Sequence, residues 1–199
     1  MTANEPLAPI LRSWRQIQQT YDVLKQCQDQ VLKEYGLTVE QLSVLSVINY
    51  LGGSARITDI AGWVERSPNS VSMIVDRMVK AGLVRRKRDR GDRRVVYVSA
   101  TGKGQAAFKP AYPALIELVR GIFRPLSKAD MSAISDLLGA LKYEILRCSN
   151  PDADRREIEK AESRKLADEE RWISESGLLS GSQAKSQRKT RRIAARRAR

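Results

Sequence analysis

The chain has 199 residues, enough for one domain of ordinary size with appendages, and its 42% hydrophobic and 30% charged residues are a globular balance. Its formal net charge of +13 is concentrated, with +5 in Arg85–Arg94 ("RRKRDRGDRR") and +8 in Lys185–Arg199 ("KSQRKTRRIAARRAR"), so the remainder is neutral in sum. The absence of histidine, of a phosphate-cradling glycine loop and of a nucleophile elbow argues against catalysis.

Charge gathered in this way is usually offset by an anionic partner, either nucleic acid or an anionic membrane. The N-terminus "MTANEPLAPILRSW" lacks the basic flank and apolar run of a signal peptide. The longest uncharged stretch, "QLSVLSVINYLGGSA", is fifteen residues long with polar positions throughout, too short to span a bilayer. A cytoplasmic location is therefore expected. Cys27 and Cys148 lie far apart and make neither a disulfide framework nor a metal site, so each reads as a structural thiol. No cofactor is implied.

From the N-terminus, Ile10, Trp14, Ile17, Tyr21, Leu24, Val31 and Tyr35 share one face of a helix ended by Gly36. Thr38 and Gln41 form a capping box before a second helix carrying Leu42, Leu45, Ile48 and Leu51. "ITDIAGWVERS" reads as a short helix with Ile57, Ile60, Ala61 and Val64 inward. Ser67 is then an N-cap and Pro68 the first residue of a helix with Val71, Ile74, Val75 and Met78 buried, ending at Gly82.

Leu83–Arg88 and Val95–Ala100 read as two strands joined by "DRGD", a hairpin. Thr101 caps the next helix, which Pro110 and Pro113 are expected to kink or split. Ser127 with Asp130 opens another helix, expected to turn Met131, Ile134, Leu137, Leu138, Leu141 and Ile145 inward. Arg155–Glu175 mixes both charge signs, with pairs such as Glu162–Lys165 and Asp168–Arg171, and reads as a solvated helix. "SGLLSGSQAKSQ" is linker-like, and the basic end is expected to be disordered.

A short helix, a tight turn, a second helix opening on small polar residues and then a basic hairpin make the order of a winged helix-turn-helix. Asn69, Ser70, Ser72 and Met73 lie on the outer side of the second helix near its N-terminus, where small side chains allow approach to base edges. That end also carries partial positive charge. Arg77, one turn on, can reach the phosphate backbone, and Arg93 and Arg94 can enter the adjacent minor groove. The expected DNA contacts are therefore Pro68, Asn69, Ser70, Ser72, Met73 and Arg77 from helix 68–82, with Arg86, Arg90, Arg93 and Arg94 from wing 85–94. The basic tail is a candidate nonspecific anchor on DNA.

"VSMIVDRMVKAGLVRRKRDRGDRRVVYVSATGKG" resembles the core of the MarR family of bacterial transcription regulators. Asp92-Arg93-Arg94, five residues, Ala100-Thr101 and Gly104 follow that family's wing signature, with alanine in place of its usual leucine. "LTVEQLSVL" is similar to its second helix. The resemblance implies a mainly α fold with a small β-hairpin wing, its N- and C-terminal helices forming a dimerisation arm. The implied division is residues 1–36 for the N-terminal dimerisation helix, 37–100 for the winged domain and 101–150 for the C-terminal dimerisation helices. Residues 151–199, the charged extension and tail, have no counterpart in the minimal family pattern.

By the same resemblance the chain is expected to form a homodimer reading a near-palindromic site on double-stranded DNA, in the manner of a repressor, with Arg94 as the minor-groove arginine and Asp92 bracing it. The family likeness also implies a small aromatic or carboxylate effector, for which Trp14, Tyr21, Tyr50 and Trp63 are the candidate pocket. Met73 stands where the family often has a polar or basic contact. The alternative is an architectural, nucleoid-type binder making mainly nonspecific contacts.

Overall fold

The structure is a computed structural model and describes residues 6–89, 91 and 95–179. Its elements run α1 (Leu7–Lys33), α2 (Val39–Tyr50), β1 (Ser54–Arg56), α3 (Ile57–Val64), α4 (Pro68–Lys80), β2 (Val84–Arg88), β3 (Val96–Ala100), α5 (Gly102–Phe123), α6 (Lys128–Ser149) and α7 (Arg155–Ser176). The chain divides into two compact units, one through Leu115 and the other from Ile116 onward.

The first unit is built around α2, α3 and α4. The Thr38 hydroxyl accepts the Gln41 N–H at 3.3 Å, and the Gln41 side chain accepts the Thr38 N–H at 3.1 Å, so the expected capping box starts α2. Leu42, Val44, Leu45, Val47 and Ile48 are all buried, because α2 is covered on more than one side. Leu51 was expected on that buried face but lies at the helix's C-cap and is exposed.

In α4, Val71, Ile74, Val75 and Met78 form the buried stripe, each contributing about 1.5–3 kcal/mol relative to exposure. Leu32 of α1, Leu37 after it, Ile60 and Ala61 of α3, Leu83, Val84 and Val98 of the hairpin, and Phe108, Ala111 and Tyr112 of α5 join that core.

The sheet has three antiparallel strands in the order β1-β3-β2, one more than the hairpin expected. β1 pairs Ser54 with Ser99, Ala55 with Val98 and Arg56 with Tyr97. It is three residues long with only Ala55 buried, too short to show an alternating pattern. On the other side of β3, Arg86 faces Val98 and Lys87 faces Tyr97.

The base of the hairpin is stitched to the start of α5. The Thr101 hydroxyl lies 2.6 Å from the Gly82 carbonyl oxygen and 3.1 Å from that of Leu83, and the Gly104 N–H donates to it at 3.1 Å. Gly104 is there for want of space: a Cβ on it would stand 2.1 Å from the Leu83 carbonyl oxygen.

Pro110 and Pro113 do not split α5, which runs unbroken from Gly102 to Phe123. Each proline forfeits one helical N–H, and the burial of Phe108, Ala111, Tyr112 and Pro113 holds the helix through the defect.

In the second unit, the Ser127–Asp130 capping box opens α6 as expected. The apolar stripe of α6 is not turned inward, however. Met131, Ile134, Leu137, Leu138, Leu141 and Ile145 are all exposed, Leu137 to 72%, because among the described residues of one chain nothing covers that face. α7 starts at Asp154, whose carboxylate accepts the Arg156 N–H at 2.7 Å. Lys142 of α6 pairs with Glu162 of α7, and the Arg155 guanidinium stands 5.8 Å from the centre of the Tyr143 ring. The expected Asp168–Arg171 pair forms at 3.8 Å. The basic tail lies outside the described residues.

Candidate nucleic-acid interface

The turn between α3 and α4 is short because Glu65, at the C-cap of α3, adopts a left-handed conformation at φ 53°. Two residues later Ser67 restarts the helix. Its hydroxyl accepts the Ser70 N–H at 3.2 Å and lies 2.9 Å from the Ser70 hydroxyl, with Pro68 following as the first helical residue. The free end of the α4 dipole is therefore presented at the protein surface.

The residues expected to read DNA separate into two groups on this helix. Pro68, Asn69, Met73 and Arg77 are exposed, and Asn69, Met73 and Arg77 follow one another at four-residue intervals along one side. Ser70 and Ser72 are half-buried on the flanks. Ser70 is engaged with Ser67, and the Ser72 hydroxyl accepts from Arg86 at 3.0 Å.

Arg86 is the link between β2 and α4. One terminal nitrogen lies 2.8 Å from the Asp76 carboxylate, and the other donates to the Ser72 carbonyl at 3.1 Å and to its hydroxyl. The planar fork of arginine allows all three contacts at once. The sequence offered one hint of this: Asp76 is the sole acid in α4 and sits one strand away from a run of cations.

On the opposite face of β2, the Arg85 Nε donates to Ser99 at 3.1 Å. Lys87 and Arg88 at the end of the strand are exposed beside Tyr97 and Asp89 along a shallow depression. Lys103 donates to the Ala81 carbonyl at 2.8 Å, a cation placed at the negative end of α4. Arg90, Asp92, Arg93 and Arg94 lie outside the described residues.

A second charged network joins the far side of the helix-turn-helix to α1. Asp29 accepts the Val39 N–H at 2.9 Å and pairs with Lys25 at 3.1 Å. Lys25 also pairs with Glu40 at 3.1 Å, and Arg66 in the α3–α4 turn approaches the same carboxylate at 4.0 Å. Partial burial pushes Glu40 up, but its own backbone N–H, Lys25 and Thr38 outweigh that and hold it below the usual carboxylate range. Asp29, and then Glu40, raise Lys25 above the usual lysine value. Sequence reasoning missed this set, because its members are brought together from three elements.

Of the four aromatics expected to line an effector pocket, Tyr50 and Trp63 meet, with ring centres 4.4 Å apart and planes tilted by 56°. Trp14 and Tyr21 are instead exposed along α1, at 58% and 55%. Among the described residues no group of three His, Cys, Asp or Glu could hold a metal ion, and no helix is long and apolar enough to cross a membrane.

Residues 37–96 match the model of the MarR family. The likeness to that family lies in the winged-helix core. Among curated relatives, an uncharacterised HTH-type transcriptional regulator, YsmB of Bacillus subtilis (strain 168), is 27% identical over 143 residues, covering 72% of this chain and 95% of its own. Two solved structures below 25% identity share the fold. One is a MarR mutant from E. coli complexed with operator DNA, at TM-score 0.61 and 19% identity over 69% of this chain and 99% of that one. The other is the organohalide-sensing RdhR regulator in its 2,4-dichlorophenol-bound form, at TM-score 0.66 and 23% identity over 75% and 87%. The matched stretch spans the helix-turn-helix and most of the hairpin, so the Asn69–Met73–Arg77 face and the Arg86 brace both fall inside it.

Proposed function

We propose that this chain is a dimeric, sequence-specific DNA-binding transcriptional regulator that acts as a repressor. The observation that carries the reading is the outward presentation of the α4 N-terminus, with Asn69, Met73 and Arg77 exposed on one side and a cationic strand braced against the other. A helix so placed fits a major groove, and its partial positive end favours phosphate. The MarR core and the operator-bound MarR structure support the same reading.

In this proposal α4 enters the major groove and the wing, with Arg90, Arg93 and Arg94, reaches the minor groove, Asp92 bracing Arg94. Residues 1–36 and 101–150 form the dimer arm, and the exposed apolar stripes of α1 and α6 are the surfaces a second copy covers. Two recognition helices would then stand about 34 Å apart, one turn of DNA. A small aromatic or carboxylate effector releases DNA by favouring a dimer with the wrong spacing, an aromatic one having its parallel in the 2,4-dichlorophenol-bound form of RdhR.

Competition binding at physiological salt tests the proposal, comparing a duplex selected from a random library with unselected duplex. A regulator prefers the selected site by about a thousandfold or more. Equal affinity favours the architectural alternative.

A further inference from the structure

We propose that Met73 is a specificity-determining residue that reads the 5-methyl group of a pyrimidine in the major groove. The inference rests on the DNA-reading role of α4 and names what one position of that helix recognises.

Met73 stands on the side of α4 opposite the buried stripe and is 66% exposed, between Asn69 one turn before it and Arg77 one turn after. An apolar side chain at that place gains nothing from water and, two-thirds exposed, contributes little to packing. Its thioether lacks any strong donor or acceptor, so it does not read a base edge by hydrogen bonding. What it can do is bury a methyl group, and in the major groove of unmodified DNA the exposed methyl is that of thymine.

The neighbouring hydroxyls sharpen the assignment. Ser70 is engaged with Ser67 and Ser72 with Arg86, so the centre of the outer face falls to Asn69, Met73 and Arg77. Asn69 and Met73 are four residues apart, about 6 Å along the helix, which spans about two base pairs at 3.4 Å each. An amide that suits adenine followed by a thioether that suits a methyl describes a half-site containing an adenine and, within about two base pairs, a methylated pyrimidine. Arg86 holds the flank of α4 through Ser72 and Asp76, fixing the helix rotation that keeps Met73 at the centre.

The test uses the full chain and duplexes selected by it from a random library. Each thymine in a half-site is replaced singly by deoxyuridine, which removes the 5-methyl and leaves every base-pairing group in place. One thymine per half-site should lose about fourfold in affinity on that exchange, the worth of one buried methyl. Met73→Ala should bind the thymine and deoxyuridine duplexes equally, Met73→Leu should restore the preference, and Met73→Gln should not. At the same position, 5-methylcytosine should outbind cytosine in wild type and Met73→Leu but not in Met73→Ala or Met73→Gln, which separates methyl reading from thymine reading.

Because Met73 is exposed, unchanged thermal unfolding is expected for all three variants. A thymine preference of equal size in wild type and Met73→Ala, or its absence in wild type, overturns the inference while leaving the regulator reading intact. Failure to select any duplex overturns both.

Discussion

Arg86 on β2 and Asp76 on α4 form an ion pair at 2.8 Å that fastens the basic strand to the helix beside it. The same guanidinium holds Ser72 one turn earlier, so the hairpin and α4 share one braced contact. Cationic character in this stretch therefore has two uses: Arg86 sets geometry, while Lys87 and Arg88 remain exposed for the proposed contact with DNA.

Replacing Arg86 should separate these uses. Arg86→Ala is expected to cost about 1 kcal/mol of folding stability, the scale of a partly exposed pair with its hydrogen bonds. DNA affinity should fall by more than one phosphate contact explains, because helix and wing lose their common orientation. Arg86→Lys keeps the charge but not the fork, and should recover stability better than binding. Denaturant unfolding and duplex titration read the two effects. A lysine variant equal to wild type in both would contradict the bracing role.

Gly104 gives a sharper structural prediction. Its missing Cβ leaves room for the Leu83 carbonyl, which a methyl would approach at 2.1 Å. Gly104→Ala should destabilise the fold by about 3 kcal/mol or more, since backbone rather than a flexible side chain has to move. A denaturant midpoint matching wild type would show that the hairpin base yields more easily than its hydrogen bonds suggest.

The Lys25–Glu40 pair predicts opposite pH behaviour for its two partners. Glu40 has a depressed folded value, so its contribution is present above the ordinary carboxylate value near pH 4 and is lost as pH falls through the folded one. Lys25 is raised, so its contribution is present below the ordinary lysine value of about 10.4 and is lost as pH rises through the folded one. Glu40→Gln should therefore cost stability at pH 7 but less as pH drops below about 4. Lys25→Met should cost stability up to about pH 10 and less beyond it. Unfolding midpoints across this range check both signs, and a pH-independent cost for either variant would contradict the network.

Much of the winged core was legible in the sequence because local rules and tertiary packing agree there. Thr38–Gln41 and Ser67–Pro68 there, like Ser127–Asp130 in the second unit, mark helix starts that the structure keeps, and the α4 stripe is buried as its spacing demands. β1 was invisible because three residues carry no period, and α5 stayed whole because burial outweighed two prolines. The stripe of α6 was legible as a stripe but misplaced. Helical spacing says which side chains share a face, and only the surroundings say whether their own chain covers it. Likewise the spacing of Trp14 and Tyr21 marked a face of α1, while their exposure separates them from the Tyr50–Trp63 pair.

That uncovered stripe carries the prediction for assembly. Leu137, exposed to 72%, sits amid Leu138, Leu141 and Ile134 on α6. A charge there should oppose burial against a second copy. Leu137→Glu is expected to shift the protein from dimer to monomer in sedimentation analysis while far-ultraviolet dichroism stays helical. A variant as dimeric as wild type would place the dimer surface elsewhere.

Half-site spacing tests the paired-helix reading most directly. Five base pairs inserted between the two half-sites of a selected duplex turn them about half a helical turn apart, onto opposite faces of the DNA. The proposed dimer should then bind no better than it binds one isolated half-site. Undiminished affinity after that insertion would contradict two recognition helices held at a fixed separation.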